Sequence, residues 1–128
     1  MCGIAGWFNA PPDRDRLNNM LRSIRHRGPE GSGIHESEFV NFGNTRLAFV
    51  DLEQGQQPLC NETGSLWLTC NGEIFNHTEL RARLAGKHTF RTECDVEVIL
   101  HLYEEYGVDG FQHLNGQYAF ALWDSSLQ

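Results

Sequence analysis

Hydrophobic and polar positions change rhythm several times along this chain. Residues 2–8, Cys-Gly-Ile-Ala-Gly-Trp-Phe, form an apolar run with the length and make-up of a buried strand, ended by Pro11 and Pro12. Its two glycines leave room for another backbone or a ligand to come close. Leu17, Met20, Leu21 and Ile24 then recur at i, i+3, i+4 and i+7, the spacing of a helix with one apolar face. Residues 25–33 read as a basic, glycine-rich loop. From 33 to 51, Phe39, Val40, Phe42, Leu47, Phe49 and Val50 predict strands joined by turns, and the polar stretch 53–58 around Gly55 predicts a loop.

Residues 66–70 predict another strand, with Asn71-Gly72 marking a sharp turn at its end. Asn76 or Thr78 is placed to cap a short helix running to about residue 84 and closed by Gly86. Residues 89–91 suggest a short strand. Asp95 opens the strongest helix, in which Val96, Ile99, Leu100 and Tyr103 share a face and Gly107 supplies the stop. Residues 117–123 form a final apolar strand. No repeat, low-complexity tract or linker divides the chain, so residues 1–128 are read as one domain. The element order suits an α+β fold of helices packed on antiparallel sheets better than alternating βαβ units. A hairpin partner is expected soon after the last strand, so the domain is expected to be truncated at its C-terminus.

Composition narrows the class. The chain is 40% hydrophobic and 21% charged with a formal net charge of -7, ordinary for a globular domain and unlike a nucleic-acid or anionic-membrane binder. No apolar run approaches the ~20 residues that span a bilayer, and the N-terminus lacks a signal-peptide pattern, so a cytoplasmic location is expected. The cysteines at 2, 60, 70 and 94 form no CxxC pair, and the six histidines form no HxH or HExxH pattern, so no metal site is expected. Cys60, Cys70 and Cys94 read as small, partly buried hydrophobes. Gly28, Gly31 and Gly33 lack the strand-to-helix setting of a phosphate-binding loop.

Cys2 stands apart because it directly follows Met1. Removal of Met1 would leave a thiol and a free α-amine on one residue, and an amine titrating near ~7.7–8 can take the thiol proton. Asn71-Gly72-Glu73 offers a side-chain amide beside an unhindered N–H, either a plain turn or an oxyanion hole, followed by a carboxylate expected to be buried. Arg46, inside an otherwise apolar strand, points either to solvent or to a substrate carboxylate. Asp95 is either a helix cap or an anion aimed at an ammonium group. Arg25, His26 and Arg27 form either a solvated loop or a lid over a small anionic ligand.

Seven segments together resemble the glutaminase domain of class II glutamine amidotransferases, N-terminal-nucleophile enzymes, and among them the asparagine synthetase B type. They are Met-Cys-Gly-Ile-Ala-Gly at 1–6, Arg-His-Arg-Gly-Pro at 25–29, Thr-Arg-Leu-Ala at 45–48 with Val-Asp-Leu at 50–52, and Gln-Gln-Pro-Leu at 56–59. Asn-Gly-Glu-Ile-Phe-Asn at 71–76, Asp-Val-Glu-Val-Ile-Leu at 95–100 and Ala-Phe-Ala-Leu-Trp-Asp at 119–124 complete the set. The resemblance implies an N-terminal-nucleophile hydrolase fold, antiparallel sheets sandwiched between helical layers. It implies that Cys2 attacks the side-chain amide of L-glutamine, that Asn71 and the Gly72 N–H hold the oxyanion, that Arg46 binds the substrate carboxylate, and that Glu73 and Asp95 receive its ammonium. No cofactor is implied for this step. ATP and Mg belong to a synthetase domain, absent from residues 1–128, that would use the ammonia.

The sequence departs from that pattern at Asn44, where relatives carry histidine, and at Glu30, Phe75 and Cys94. Truncation leaves open a silent glutamine-binding or interaction module, and the ammonia acceptor leaves open another class II amidotransferase. A ligand-free thiol protein would leave the clustered polar residues unexplained. An unpaired sheet edge would be covered by a second copy of the chain, which predicts a homodimer.

Overall fold

The computed structural model describes residues 2–47 and 55–127. Strands β1 (Gly3–Phe8), β2 (Gly31–Glu36) and β3 (Val40–Arg46) form an antiparallel sheet in the order β1-β3-β2. Gly3 lies opposite Thr45, and Gly31 lies opposite Arg46, so the start of the chain meets the end of β3. Strands β4 (Leu59–Cys60), β5 (Leu66–Ile74) and β6 (Gly116–Asp124) form a second antiparallel sheet in the order β4-β5-β6.

Helix α1 (Arg14–Ser23) covers the first sheet. Asp13 caps it by accepting the Arg16 N–H at 2.9 Å, and the periodic residues Leu17 and Leu21 are its buried face. Helices α2 (His77–Leu84) and α3 (Val98–Tyr106) cover the second sheet. Alternation along β5 decides which residues they meet. Leu66, Leu68, Cys70 and Ile74 join Leu80, Leu84, Val98, Ile99 and Leu102 in the main core. On the other face, Trp67 stacks at 4.0 Å on His35 of the first sheet, and Phe39 stacks on Trp123 at 6.5 Å. The layers therefore run helix, sheet, sheet, helix. This is the α+β sandwich that the sequence resemblance implied.

Several local expectations are corrected. Asn71-Gly72 is not a turn. β5 continues to Ile74 and pairs with β6 from Leu66 opposite Asp124 to Ile74 opposite Gly116. Gly72 has φ 154°, and a Cβ built there would lie 2.1 Å from the Gln117 carbonyl oxygen, so the pairing uses glycine for close approach. Residues 89–91 form no strand. Glu97 instead takes the Arg91 N–H at 2.8 Å and the Thr92 N–H at 2.9 Å, so those donors are lost to any ladder. The loop expected over 25–33 is a 3-10 turn at Arg25–Arg27 followed by β2 from Gly31.

The second half shows finer differences. Asn76 holds the position before α2, but its side chain bonds the His113 carbonyl and the Asn115 N–H rather than capping the helix. α2 ends at Leu84 with Ala85 as its cap, ahead of Gly86. The helix expected from Asp95 begins as a 3-10 turn over Asp95–Glu97, continues as α3 and stops at Gly107. Of the expected strand residues, Phe49 and Val50 lie outside the described residues. So do the first positions of the loop expected at 53–58.

Candidate active site

Cys2 is placed by the first sheet. The N–H of Gly3 bonds Thr45 Oγ1 at 3.2 Å, and that hydroxyl donates to the Ile24 carbonyl at 3.3 Å, tying β1, β3 and the end of α1 together. Arg27 Nε holds the Cys2 carbonyl at 3.2 Å. Arg27 is thus an anchor for Cys2, while Arg25 and His26 are exposed. Cys2 Sγ lies 3.3 Å from the Leu47 N–H and 3.5 Å from the Leu47 carbonyl oxygen.

Arg46 ends β3 on the face opposite Thr45. Thr45 is turned toward α1, so strand alternation turns Arg46 toward the second sheet rather than to solvent. Its backbone is held by the Glu30 N–H, which donates to the Arg46 carbonyl at 3.1 Å, and by a bridge to Pro29. The second sheet contributes Gly72 and Glu73. Asp95, 6% exposed, comes from the turn before α3 and accepts the Ile74 N–H at 2.6 Å. Cys94 precedes that turn, so Asp95 is a strand-to-helix tie and not a helix cap.

These residues meet in one small cleft of about 50 Å³, lined by Cys2, Arg46, Leu47, Gly55, Gln57, Gly72, Glu73, Cys94, Asp95 and Val96. Glu73 is exposed rather than buried, a correction that follows from its place near the open end of the β5–β6 ladder. Asn71 is not among the lining residues. It lies on the β5 face shared with Trp67 and Thr69, toward the first sheet, and its Oδ1 is buried with no hydrogen-bond partner among the described residues. A thiol, a guanidinium and two carboxylates thus share one cleft, the donor set for a zwitterion presented to a nucleophile.

The sequence matches the glutamine amidotransferase domain family over residues 1–128. The chain belongs to that family. It is 46% identical to an asparagine synthetase [glutamine-hydrolyzing] of Arabidopsis thaliana and 45% identical to a probable asparagine synthetase [glutamine-hydrolyzing] of Dictyostelium discoideum. Those alignments cover 98% and 97% of this chain but 22% and 23% of the relatives, so the chain spans about a fifth of their length. Among solved structures it resembles the glutamine phosphoribosylpyrophosphate amidotransferase of B. subtilis, complexed with ADP and GMP. The TM-score is 0.70 and the identity 25%, over 97% of this chain and 35% of that one.

Other residues at the cleft were given no role by the sequence. Gln57 is buried, and its Oε1 accepts the Cys70 N–H at 2.6 Å, fixing β5 behind the cleft. The Gln57 carbonyl oxygen is approached so closely by β2 that a Cβ on Gly33 would lie 1.9 Å from it. Cys94 lines the cleft, and its only sequence signal was that it departs from the family pattern. Cys70 sits behind it, buried. Burial first, then the charge of Asp95 and the neighbouring Cys94 and Cys2, push its thiol far above the ordinary range, which leaves it inert. Asn44, the other notable departure, is fully buried with both side-chain polar atoms lacking partners among the described residues.

Proposed function

We propose that this domain hydrolyses the side-chain amide of L-glutamine to glutamate and ammonia, with Cys2 as the N-terminal nucleophile once Met1 is removed. The observation that carries the reading is the convergence of Cys2 with Arg46, Gly72, Glu73 and Asp95 in one cleft. The α-amine of Cys2 takes the thiol proton, and the thiolate attacks the amide carbon. The Gly72 N–H stabilises the oxyanion, joined by the Asn71 amide if its side chain turns from the first-sheet side of β5 into the cleft, and the proton returns to the leaving ammonia. Water then cleaves the γ-glutamyl thioester, regenerating the thiol. Arg46 pairs with the substrate carboxylate, while Glu73 and the Asp95 oxygen not taken by Ile74 meet its ammonium. These steps use only groups of this chain and water. Family membership and the names of the relatives support the substrate assignment.

The ammonia is proposed to pass to a synthetase domain, a reading supported by relatives named asparagine synthetases of which this chain spans about a fifth. Free thiols at Cys2, Cys60, Cys70 and Cys94 accord with a reducing, cytoplasmic setting. The test is incubation with the glutamine analogue 6-diazo-5-oxo-L-norleucine, followed by intact mass and peptide mapping. One adduct on an N-terminal Cys2 is expected, and Cys2→Ala is expected to lower turnover by about 10³-fold or more without changing Tm. Full activity in Cys2→Ala would defeat the mechanism. A folded, Met1-free protein that takes no adduct would instead be a silent glutamine-binding or interaction module.

A further inference from the structure

Outside the cleft, a second group of ligand-type side chains converges from three parts of the chain. Glu62 comes from the β4–β5 connection, His88 from the segment after α2, and His101 and Glu104 from successive turns of α3. His101 Nδ1 lies 3.0 Å from Glu104 Oε1 and 3.7 Å from Glu62 Oε1. His88 Nδ1 lies 3.3 Å from Glu104 Oε2 and 3.6 Å from the same Glu62 oxygen. One ligand atom from each residue can be chosen so that all four lie within 4.8 Å of one another. Zinc held at about 2.0–2.2 Å by tetrahedral nitrogen and oxygen ligands has edges of about 3.3–3.6 Å, close to these separations.

The surroundings fit the same chemistry. A neutral imidazole has one N–H and one lone pair. His88 Nε2 lies 2.8 Å from Glu105 Oε1, and His101 Nε2 lies 3.4 Å from the buried Glu97. With the N–H on that outer side, each Nδ1 lone pair faces the carboxylates of Glu62 and Glu104. A cation between them makes that contact attractive, and a proton on Nδ1, which His101 would donate to Glu104 at 3.0 Å, is the alternative to a metal ion. Outer carboxylates on the far nitrogens are how proteins orient metal-binding histidines. The Phe90 ring stands edge-on to His101 at 4.5 Å, an apolar wall, while Glu62 and Glu104 keep side-chain exposures of 28% and 20%, a path for an ion.

The geometry points to a structural site for a divalent transition-metal ion, zinc above all, ligated by Glu62, His88, His101 and Glu104. Four protein ligands close the coordination sphere, so the ion ties α3 to the β4–β5 connection and to the chain after α2, and takes no part in glutamine chemistry. Sequence patterns missed it because only His101 and Glu104 are near neighbours in the chain.

The experiment titrates zinc sulfate into the protein carrying Cys2→Ser, which removes the cleft thiol as a competing ligand. Bound metal is measured by equilibrium dialysis and elemental analysis, and Tm is followed in parallel. One zinc per chain and a raised Tm are expected. Glu62→Gln and Glu104→Gln, both at exposed positions and checked for folding by circular dichroism, are expected to weaken binding at least about tenfold, and Glu105→Gln about tenfold. Cobalt in place of zinc is expected to give tetrahedral visible bands without thiolate charge transfer. A folded protein that retains no zinc would overturn the site, leaving a plain ion-pair cluster. So would zinc retained equally by Glu62→Gln and Glu104→Gln.

Discussion

At the scale of single residues, chemistry was legible where a side chain was out of keeping with its surroundings. A guanidinium in an apolar strand and a cysteine beside the initiator each asked for a ligand, and the fold brings Arg46 and Cys2 to one cleft. Gln57 and Leu47 gave no such signal, because one acts by accepting a backbone N–H and the other through its own backbone beside Sγ. Arg46→Ala is expected to cost about 2 kcal/mol of glutamine binding, roughly thirtyfold, the size of a hydrogen-bonded charge contact. The increase should fall on KM with kcat little changed, as steady-state kinetics of ammonia release would report. A loss confined to kcat would move Arg46 out of the binding role.

At the scale of elements, the sequence was most informative where an element carries its own periodicity. α1, α3, β1 and β6 lie close to where apolar spacing and end signals put them. It misled where a distant partner decides the outcome. Asn71-Gly72 has the chemistry of a turn, yet β6 supplies a ladder partner that keeps those residues in β5. Residues 89–91 have the β-formers of a strand, yet Glu97 holds the neighbouring N–H groups. The first case predicts a large effect from a small change. Gly72→Ala sets a methyl group against the Gln117 carbonyl at a φ that L residues rarely adopt, and is expected to destabilise the protein by about 2 kcal/mol or more. Chemical denaturation would measure it. A change within about 0.5 kcal/mol would mean the ladder yields there easily.

At the scale of the whole molecule, the order of elements was enough to choose an α+β fold, but it did not reveal how the two sheets meet. That contact rests partly on His35 stacked against Trp67. Burial lowers the proton affinity of His35, and the charge of Glu36 opposes this less strongly, so its folded pKa lies below the ordinary 6.5. The unfolded chain therefore binds this proton more readily. The stabilisation is complete above the ordinary value and is lost as pH falls through the folded one. His35→Phe keeps a ring in the stack and removes the proton. Its Tm is expected to fall less than that of the parent between about pH 7 and about pH 5. Parallel Tm profiles would show that the inter-sheet stack is indifferent to protonation.

The pairing of Ile74 with Gly116 also has a bearing on how the chain reaches this state. Everything between those residues, including α2 and α3, is a loop that the β5–β6 ladder must close, and closing it costs chain entropy before any cross-strand bond repays it. Helices form within about a microsecond from neighbouring residues, whereas pairing across such a separation is slow. The helical layer is thus expected to form early in this half of the molecule, and the ladder under it late. Until that ladder closes, Gly72 and Glu73 have no fixed place opposite Cys2, so assembly of the proposed glutamine site is expected among the last events of folding.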